Sequence, residues 1–244
     1  MQIEEIRRKV RDIFKDLVFN EEEHSYFVGD RQYISVSSQL KKFYEEFDAD
    51  GIAPFSAKKW NKNNPFEKPK TAEDLKAEWK AIADKACASG TRVHLFGEEY
   101  PNFQKPRCIQ EEAVIQYWND LDPKYEVLEL ELQMYSPSLN YSGTGDIILY
   151  NTETGKVKIA DYKTNKDLFN NFKGKLMLEP FTDLLDHPLH HYYLQLNFYK
   201  MLLENMTDLE VESMEVIWLK EDKNDIYQTF EIPDLTHKLL PYYE

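Results

Sequence analysis

Gly143-Thr-Gly-Asp146-Ile-Ile-Leu-Tyr150, Asn151-Thr-Glu-Thr-Gly155 and Lys156-Val-Lys-Ile-Ala-Asp161-Tyr-Lys163-Thr164 follow one another, and their reading decides the fold. The middle segment is turn-rich and both flanks are β-prone, which predicts a hairpin. With its tip at Thr152 to Gly155, Tyr150 faces Val157, Ile148 faces Ile159, and Asp146 faces Asp161. Directly opposed residues carry Cβ atoms roughly 5 Å apart on one sheet face. Lys163, two residues beyond Asp161, points to that same face. Opposed carboxylates repel unless a cation or a proton lies between them, and a neighbouring lysine suits phosphate or water chemistry. The residues read as a metal-dependent hydrolase site; taken alone they also suit an edge hairpin with solvated charges. The register matters, because a slip of one residue turns one aspartate to the other face. Asp74-Leu-Lys76, Glu78-Trp-Lys80, Asp122-Pro-Lys124 and Glu221-Asp-Lys223 repeat the acid-x-Lys pattern in predicted helices or turns. Only Asp161-Tyr-Lys163 ends an apolar strand with a second aspartate across a hairpin.

Working outward, residues 2–16 read as a charged helix and Val18 to Ile34 as strands around Gly29-Asp30. Ser35 to Tyr44 reads as a serine-capped helix, and Asp48 to Lys70 as an irregular stretch punctuated by Pro54, Pro65 and Pro69. Thr71 is an N-cap, with Glu73 and Asp74 in the first turn, for a helix to about Ser89. Further helical pieces are expected over Thr91 to Glu99 and Gln110 to Asp120. Glu126 to Tyr135 alternates, placing Leu128, Leu130, Leu132 and Met134 on one face and Glu129, Glu131 and Gln133 on the other. Leu189 to Asn205 reads as an apolar helix, and Ser213 to Lys220 with Ile226 to Ile232 as a terminal strand pair. The pattern predicts an α+β fold: a mixed central β-sheet flanked by helices, with an N-terminal strand/helix extension. The expected division is an extension at 1–70 packed on a core at 71–244.

A chain of 244 residues, 42% hydrophobic and 30% charged, suits one sizeable globular unit. No apolar run approaches the roughly 20 residues that span a bilayer, and the charged start lacks a signal-peptide core, so no membrane partner and a cytoplasmic location are expected. Cys87 and Cys108 alone cannot hold a four-thiolate cluster, and suggest a reducing compartment. The net charge of −14 argues against a general nucleic-acid binder. Two segments soften that objection. Lys156 to Lys175 has six lysines against Asp161 and Asp167, and Ala57 to Lys70 has five against Glu67, a local balance of +4 in each. Both include aromatics able to stack on bases: Trp60 and Phe66, Phe169 and Phe172. Solvated surface lysines are the plainer reading of each segment taken singly.

Two more pieces complete the constellation. His94 and Glu98 lie at i and i+4 in Gly90-Thr91-Arg-Val-His94-Leu-Phe-Gly-Glu98, and Gln195 and Tyr199 share a helical face in the same way. In this order the pieces resemble the PD-(D/E)xK nuclease superfamily, and within it the RecB-like branch that includes phage exonucleases and the mitochondrial genome-maintenance exonuclease. His24-Ser-Tyr26, the Ser35-Val-Ser-Ser38 helix start and Phe47-Asp48 are similar to the family's N-terminal segment. Gly90-Thr91 with His94 is like its Gly-Thr-x-x-His helix, and Glu131 like its upstream acidic strand residue. Gly145-Asp146 is like its first aspartate, Asp161-Tyr-Lys163-Thr164 like its Asp-x-Lys-Thr strand, and Gln195 with Tyr199 like its Gln-x-x-x-Tyr helix. Glu129 is the alternative to Glu131; Leu-Gln-Met-Tyr-Ser after Glu131 matches the family.

The resemblance implies a restriction-endonuclease-like core and a Mg²⁺- or Mn²⁺-dependent exonuclease. Asp146, Asp161 and the carbonyl of Tyr162 would bind one or two metal ions, and His94 would add a ligand favouring Mn²⁺ or stand just behind the ligands. Glu131 and Glu98 would orient water, Lys163 would act on the attacking water with its pKa lowered by metal charge, and Gln195 and Tyr199 would position substrate or the lysine. Thr91, Lys166, Lys173 and Lys175 would contact substrate. The cysteines that hold an iron–sulfur cluster in some relatives are missing, so no cluster is expected. The partners implied are DNA, single-stranded or end-containing duplex, and phage recombination or replication proteins, in a bacterial or phage setting. A structure-specific or restriction-type endonuclease, a catalytically silent nucleic-acid-binding module and a soluble interaction protein are the competing readings.

Overall fold

In the computed structural model, which describes residues 3–20, 23, 25–223 and 225–240, the chain runs α1 (Ile3–Phe14), β1 (Leu17–Asn20), β2 (Ser25–Val28), β3 (Arg31–Ser35), α2 (Val36–Leu40), α3 (Ala49–Asn63), α4 (Ala72–Gly97) and α5 (Ile109–Asp120). It continues through β4 (Tyr125–Ser136), β5 (Tyr141–Asn151), β6 (Val157–Lys163), α6 (Pro188–Met206), β7 (Val211–Leu219), β8 (Tyr227–Glu231) and α7 (Thr236–Leu239). His24, part of the N-terminal resemblance, lies outside the described residues.

β5 organises the sheet. Along one edge it pairs antiparallel with β4 from Tyr125↔Asn151 to Ser136↔Tyr141. Its other edge is shared: β3 pairs parallel with it at Tyr141 and Ser142, and β6 pairs antiparallel with it from Ile147 to Tyr150. Gly143 to Asp146 lie in the gap between these two partners, so the backbone there is open for side chains to use. β6 pairs parallel with β7, and β7 antiparallel with β8. This is a mixed eight-stranded sheet flanked by helices, the expected α+β class.

Apolar side chains fill both faces. One core sets Leu194, Phe198 and Leu202 of α6 against Ile148, Ile159 and Val216 of the sheet. The other sets Val93 and Phe96 of α4 and Val114 and Trp118 of α5 against Ile147, Leu149 and Ala160. α1 is amphipathic, with Ile6, Val10 and Phe14 buried. Its Arg7 donates to the carbonyls of Val127 and Leu128, where β4 shifts register.

Three local expectations need correction. The helices expected on either side of Gly90 are one continuous α4 of 26 residues, opened by a capping box of Thr71 and Asp74. Gly90 does not break it, because the missing Cβ lets the helix approach Thr164. Residues 49–63, expected to be irregular, form α3: Asp48 caps Gly51, and Pro54 sits early enough to spare most of the helical ladder. The single apolar face expected for β4 is broken. Leu128, Leu132 and Met134 enter the α6-side core while Leu130 faces the α4-side core. A register shift at Val127/Glu129 and a φ of +49° at Glu131 cause the reversals.

Candidate active site

The hairpin has the register read from its turn: Tyr150 opposes Val157 and Ile148 opposes Ile159. The ladder stops at Ile147↔Ala160, one step short of the aspartates. Asp146 there accepts a hydrogen bond from the Tyr162 backbone N–H at 2.9 Å. Its carboxylate also reaches 3.2 Å from Nδ1 of His94 on α4. Asp161 is buried, at 1% exposure, with neither oxygen accepting a well-aligned hydrogen bond; the ammonium of Lys163 lies against it. Lys163 also sits over the ring of Tyr192 on α6, 4.4 Å from its centroid.

Small residues make this convergence possible. A Cβ on Gly97 would lie 2.6 Å from the Tyr162 ring, and one on Gly90 3.1 Å from Oγ1 of Thr164. These two glycines seat α4 on the end of β6, and His94, between them, is thereby held over Asp146. The His94 and Tyr162 rings meet edge to face at 5.9 Å. On the opposite face Tyr199 packs beside Gly143 and accepts a 2.7 Å hydrogen bond from Gln195.

Of the two strand glutamates, Glu131 faces His94, with Oε1 3.9 Å from Nδ1, whereas Glu129 is ion-paired to Arg11. Glu98, exposed at the end of α4, lies within electrostatic reach of Glu131, His94 and Asp146. Thr91 is exposed on the same helix, and Lys166 lines a cleft beside Thr164. Lys173 lies over its neighbour Phe172, and Lys175 is ion-paired to Glu45 and Asp186. The basic balance of this segment is therefore largely internal: Lys156 pairs with Glu210 and Lys158 with Glu215. Tyr26, in the N-terminal segment, has a hydroxyl that shares a 2.9 Å hydrogen bond with Thr144 at the gap in β5. No periodicity in the sequence brings positions 26 and 144 together; a parallel pairing of β3 with β5 does.

Crowded charge sets the protonation states. Burial raises the Asp146 carboxyl, against the pull of His94 and Lys163. Burial and then the like charge of Asp146 push Asp161 up to about 6, despite Lys163. Burial pulls the His94 imidazolium down, but Asp146 and Glu131 outweigh it and hold the pKa up to about 9. Lys163 follows the same logic: burial lowers it, and Asp161 and Asp146 more than restore it, leaving it above the ordinary lysine value. The protein groups alone thus raise Lys163 rather than lower it.

The donor set fits a hard divalent cation. His94, Glu131 and Asp146 each offer one donor atom, all within 4.8 Å of one another. Asp161 is not one of the three but stands beside them, in contact with the Lys163 ammonium. Buried carboxylates this close repel one another, and a divalent cation relieves that cost.

The family model of the PD-(D/E)XK nuclease superfamily matches residues 39–235. A solved structure described as the crystal structure of SSO0001 aligns over 99% of this chain and 84% of its own, at 15% identity and a TM-score of 0.34, too weak a likeness to argue from. No curated protein matches the chain.

Proposed function

The chain belongs to the PD-(D/E)XK nuclease superfamily, and from that premise we propose that it is a Mg²⁺- or Mn²⁺-dependent DNA exonuclease of the RecB-like branch, serving phage-type recombination, repair or replication. The observation that carries the proposal is the meeting of His94, Glu131 and Asp146 within 4.8 Å, one strand from the Asp161–Lys163 pair.

In this reading Asp146, Glu131 and His94 hold the metal, with Asp161 and the Tyr162 carbonyl beside them. The bound ion would supply Lewis-acid stabilisation of phosphodiester charge and activation of water. Lys163 stays a cation and offsets charge developing on the phosphate, which suits a lysine whose pKa is held up by two carboxylates. Tyr192 and Asp161 fix its ammonium from two sides. Tyr199 and Gln195 buttress the Gly143–Asp146 segment from below rather than facing solvent. Glu98 is close enough to orient water at the rim. The nitrogen donor of His94 favours Mn²⁺ over Mg²⁺. Among the described residues no helix is long and apolar enough to cross a membrane.

End-labelled linear single- and double-stranded DNA and a closed circle, incubated with Mg²⁺, Mn²⁺ or chelator, test the proposal. Digestion of linear DNA from its ends, with the circle spared and chelator abolishing turnover, is expected. Cleavage of the circle would replace the exonuclease by an endonuclease, and inactivity with both metals would leave a silent binding module.

A further inference from the structure

A cleft of about 1010 Å³ opens between α4 and the carboxyl ends of the parallel strands β6 and β7. It begins at Thr164, the residue after Lys163. Lys85 and Ser89 of α4 form one wall; Lys166, Trp218 and Lys223 form the other. Crevices at the carboxyl ends of parallel strands are where open α/β sheets take ligands. Trp218 is the register partner of Lys163 on the adjacent strand. Its indole N–H donates to the Asn165 carbonyl at 2.7 Å, and Asn165 in turn accepts from the Tyr192 hydroxyl at 2.8 Å. The aromatic wall and the Lys163 ammonium are therefore tied to one another through Asn165 and Tyr192.

The charge in the cleft is of two kinds. Lys220 is taken up by Asp225 and by the Trp218 ring. Lys85, Lys166 and Lys223 form no ion pair among the described residues, in contrast to Lys220 beside them. Three cations left without carboxylates, beside a half-buried indole, suit a chain of phosphates carrying flat bases. Glu221 and Asp222 on the same turn oppose an anion at one end of the cleft, so the path leads along Lys85 and Lys166 first.

We propose that this cleft receives single-stranded nucleic acid running on from the scissile phosphate, with Lys85, Lys166 and Lys223 following the backbone and Trp218 meeting a base. The proposal rests on the nuclease reading for what lies at Lys163, but not on turnover. An unpaired strand is favoured over duplex because a base can turn its face to Trp218 only when it is free of a pairing partner.

The test is binding of a fluorescent single-stranded DNA oligonucleotide to the full chain in chelator, across a salt series, with duplex DNA and single-stranded RNA of the same length as competitors. The double variant Lys85→Glu, Lys223→Glu alters exposed side chains, and its melting temperature checks its fold. The expected result is at least tenfold weaker binding and a log–log salt slope shallower by about 1.4, as two lost phosphate contacts imply for a single strand. Bases should also quench tryptophan emission in the wild type, and Trp218→Phe should remove most of that quench while an abasic strand produces none. Unchanged affinity and slope in the double variant, or no binding by the wild type, overturns the proposal, and preferential competition by duplex overturns its single-strand form. A wild type that binds the strand but never cleaves with metal would leave the cleft standing and remove the nuclease reading instead.

Discussion

The ring of Tyr199 fills the space that a side chain at position 143 would need: a Cβ on Gly143 would sit 2.7 Å from Cε1 of Tyr199 and 3.2 Å from Val36. The glycine lies where that edge of β5 has lost β3 and not yet met β6, with β4 still paired along the other edge, so the tyrosine supports the strand beside its unpartnered edge. Gly143→Ala should force the ring aside, strain its bond from Gln195 and shift Asp146. Overpacking of this kind costs about 1–3 kcal/mol. Urea unfolding should report that loss, and Gly143→Ala with Tyr199→Leu should recover stability without recovering cleavage. Full activity in Gly143→Ala alone would show that Tyr199 does not hold the segment.

His94 links metal binding to pH. With its pKa held up to about 9 by Asp146 and Glu131, the imidazole carries a proton at pH 7.5, and a metal ligand must be neutral. Mn²⁺ binding should therefore release close to one proton at pH 7.5, and apparent affinity should climb as pH rises toward 9. Calorimetry in two buffers of different ionisation enthalpy reads the proton directly. His94→Ala should bind more weakly and release markedly less. Heats that do not depend on buffer would remove His94 from the ligand set.

Asp161 should be a stability liability that the metal relieves. Its carboxyl is pushed from the ordinary 3.8 up to about 6, so the folded state binds the proton more tightly than the unfolded chain does. Below about pH 4 both states are protonated and nothing is lost; above pH 6 both are ionised and the folded state carries the whole penalty. Two pKa units correspond to about 3 kcal/mol, or several degrees in a chain of this size. Asp161→Asn also takes a carboxylate from the buried Lys163, so the readout is the pH dependence: its melting temperature relative to wild type should rise between pH 4 and pH 8 without metal. Mn²⁺ should raise the wild-type melting temperature by more than the variant's. A difference from wild type that is the same at pH 4 and pH 8 would contradict this account.

How much of this was legible beforehand depended on the range of the interaction. The hairpin register and the helix of Gln195 and Tyr199 follow from local spacing, and both appear where the sequence puts them. Local pattern divides α4 into two pieces at Gly90, a poor helix former, whereas the role of Gly90 is set by Thr164 across the sheet. The choice between Glu129 and Glu131 was undecidable from alternation, since both occupy odd positions. Arg7 and Arg11, more than a hundred residues upstream, hold the bulged end of β4 where Glu129 is bound. Long-range pairings of this kind leave no mark in a local pattern. The same applies to the lysines: a count gives +4 for residues 156–175, and only the fold shows that Lys175 and Lys156 are neutralised by distant carboxylates.

Lys163 separates chemistry from metal capture. Its ammonium touches Asp161 and is held up by both aspartates, and an ammonium has no lone pair to give a metal. Lys163→Ala should therefore still bind Mn²⁺ while DNA cleavage falls at least about 100-fold, the scale of one lost transition-state charge contact. Without metal the variant leaves the buried Asp161 carboxylate without its contacting cation, and breaking such a pair costs about 3–5 kcal/mol. That loss should grow as pH rises through the carboxylate range, because protonated aspartates need no partner, and Mn²⁺ should restore part of it. Cleavage assays, calorimetry and melting at pH 5 and 8 check the three expectations together. A purified Lys163→Ala protein with near-wild-type cleavage would exclude the lysine from the reaction, whatever its effect on stability.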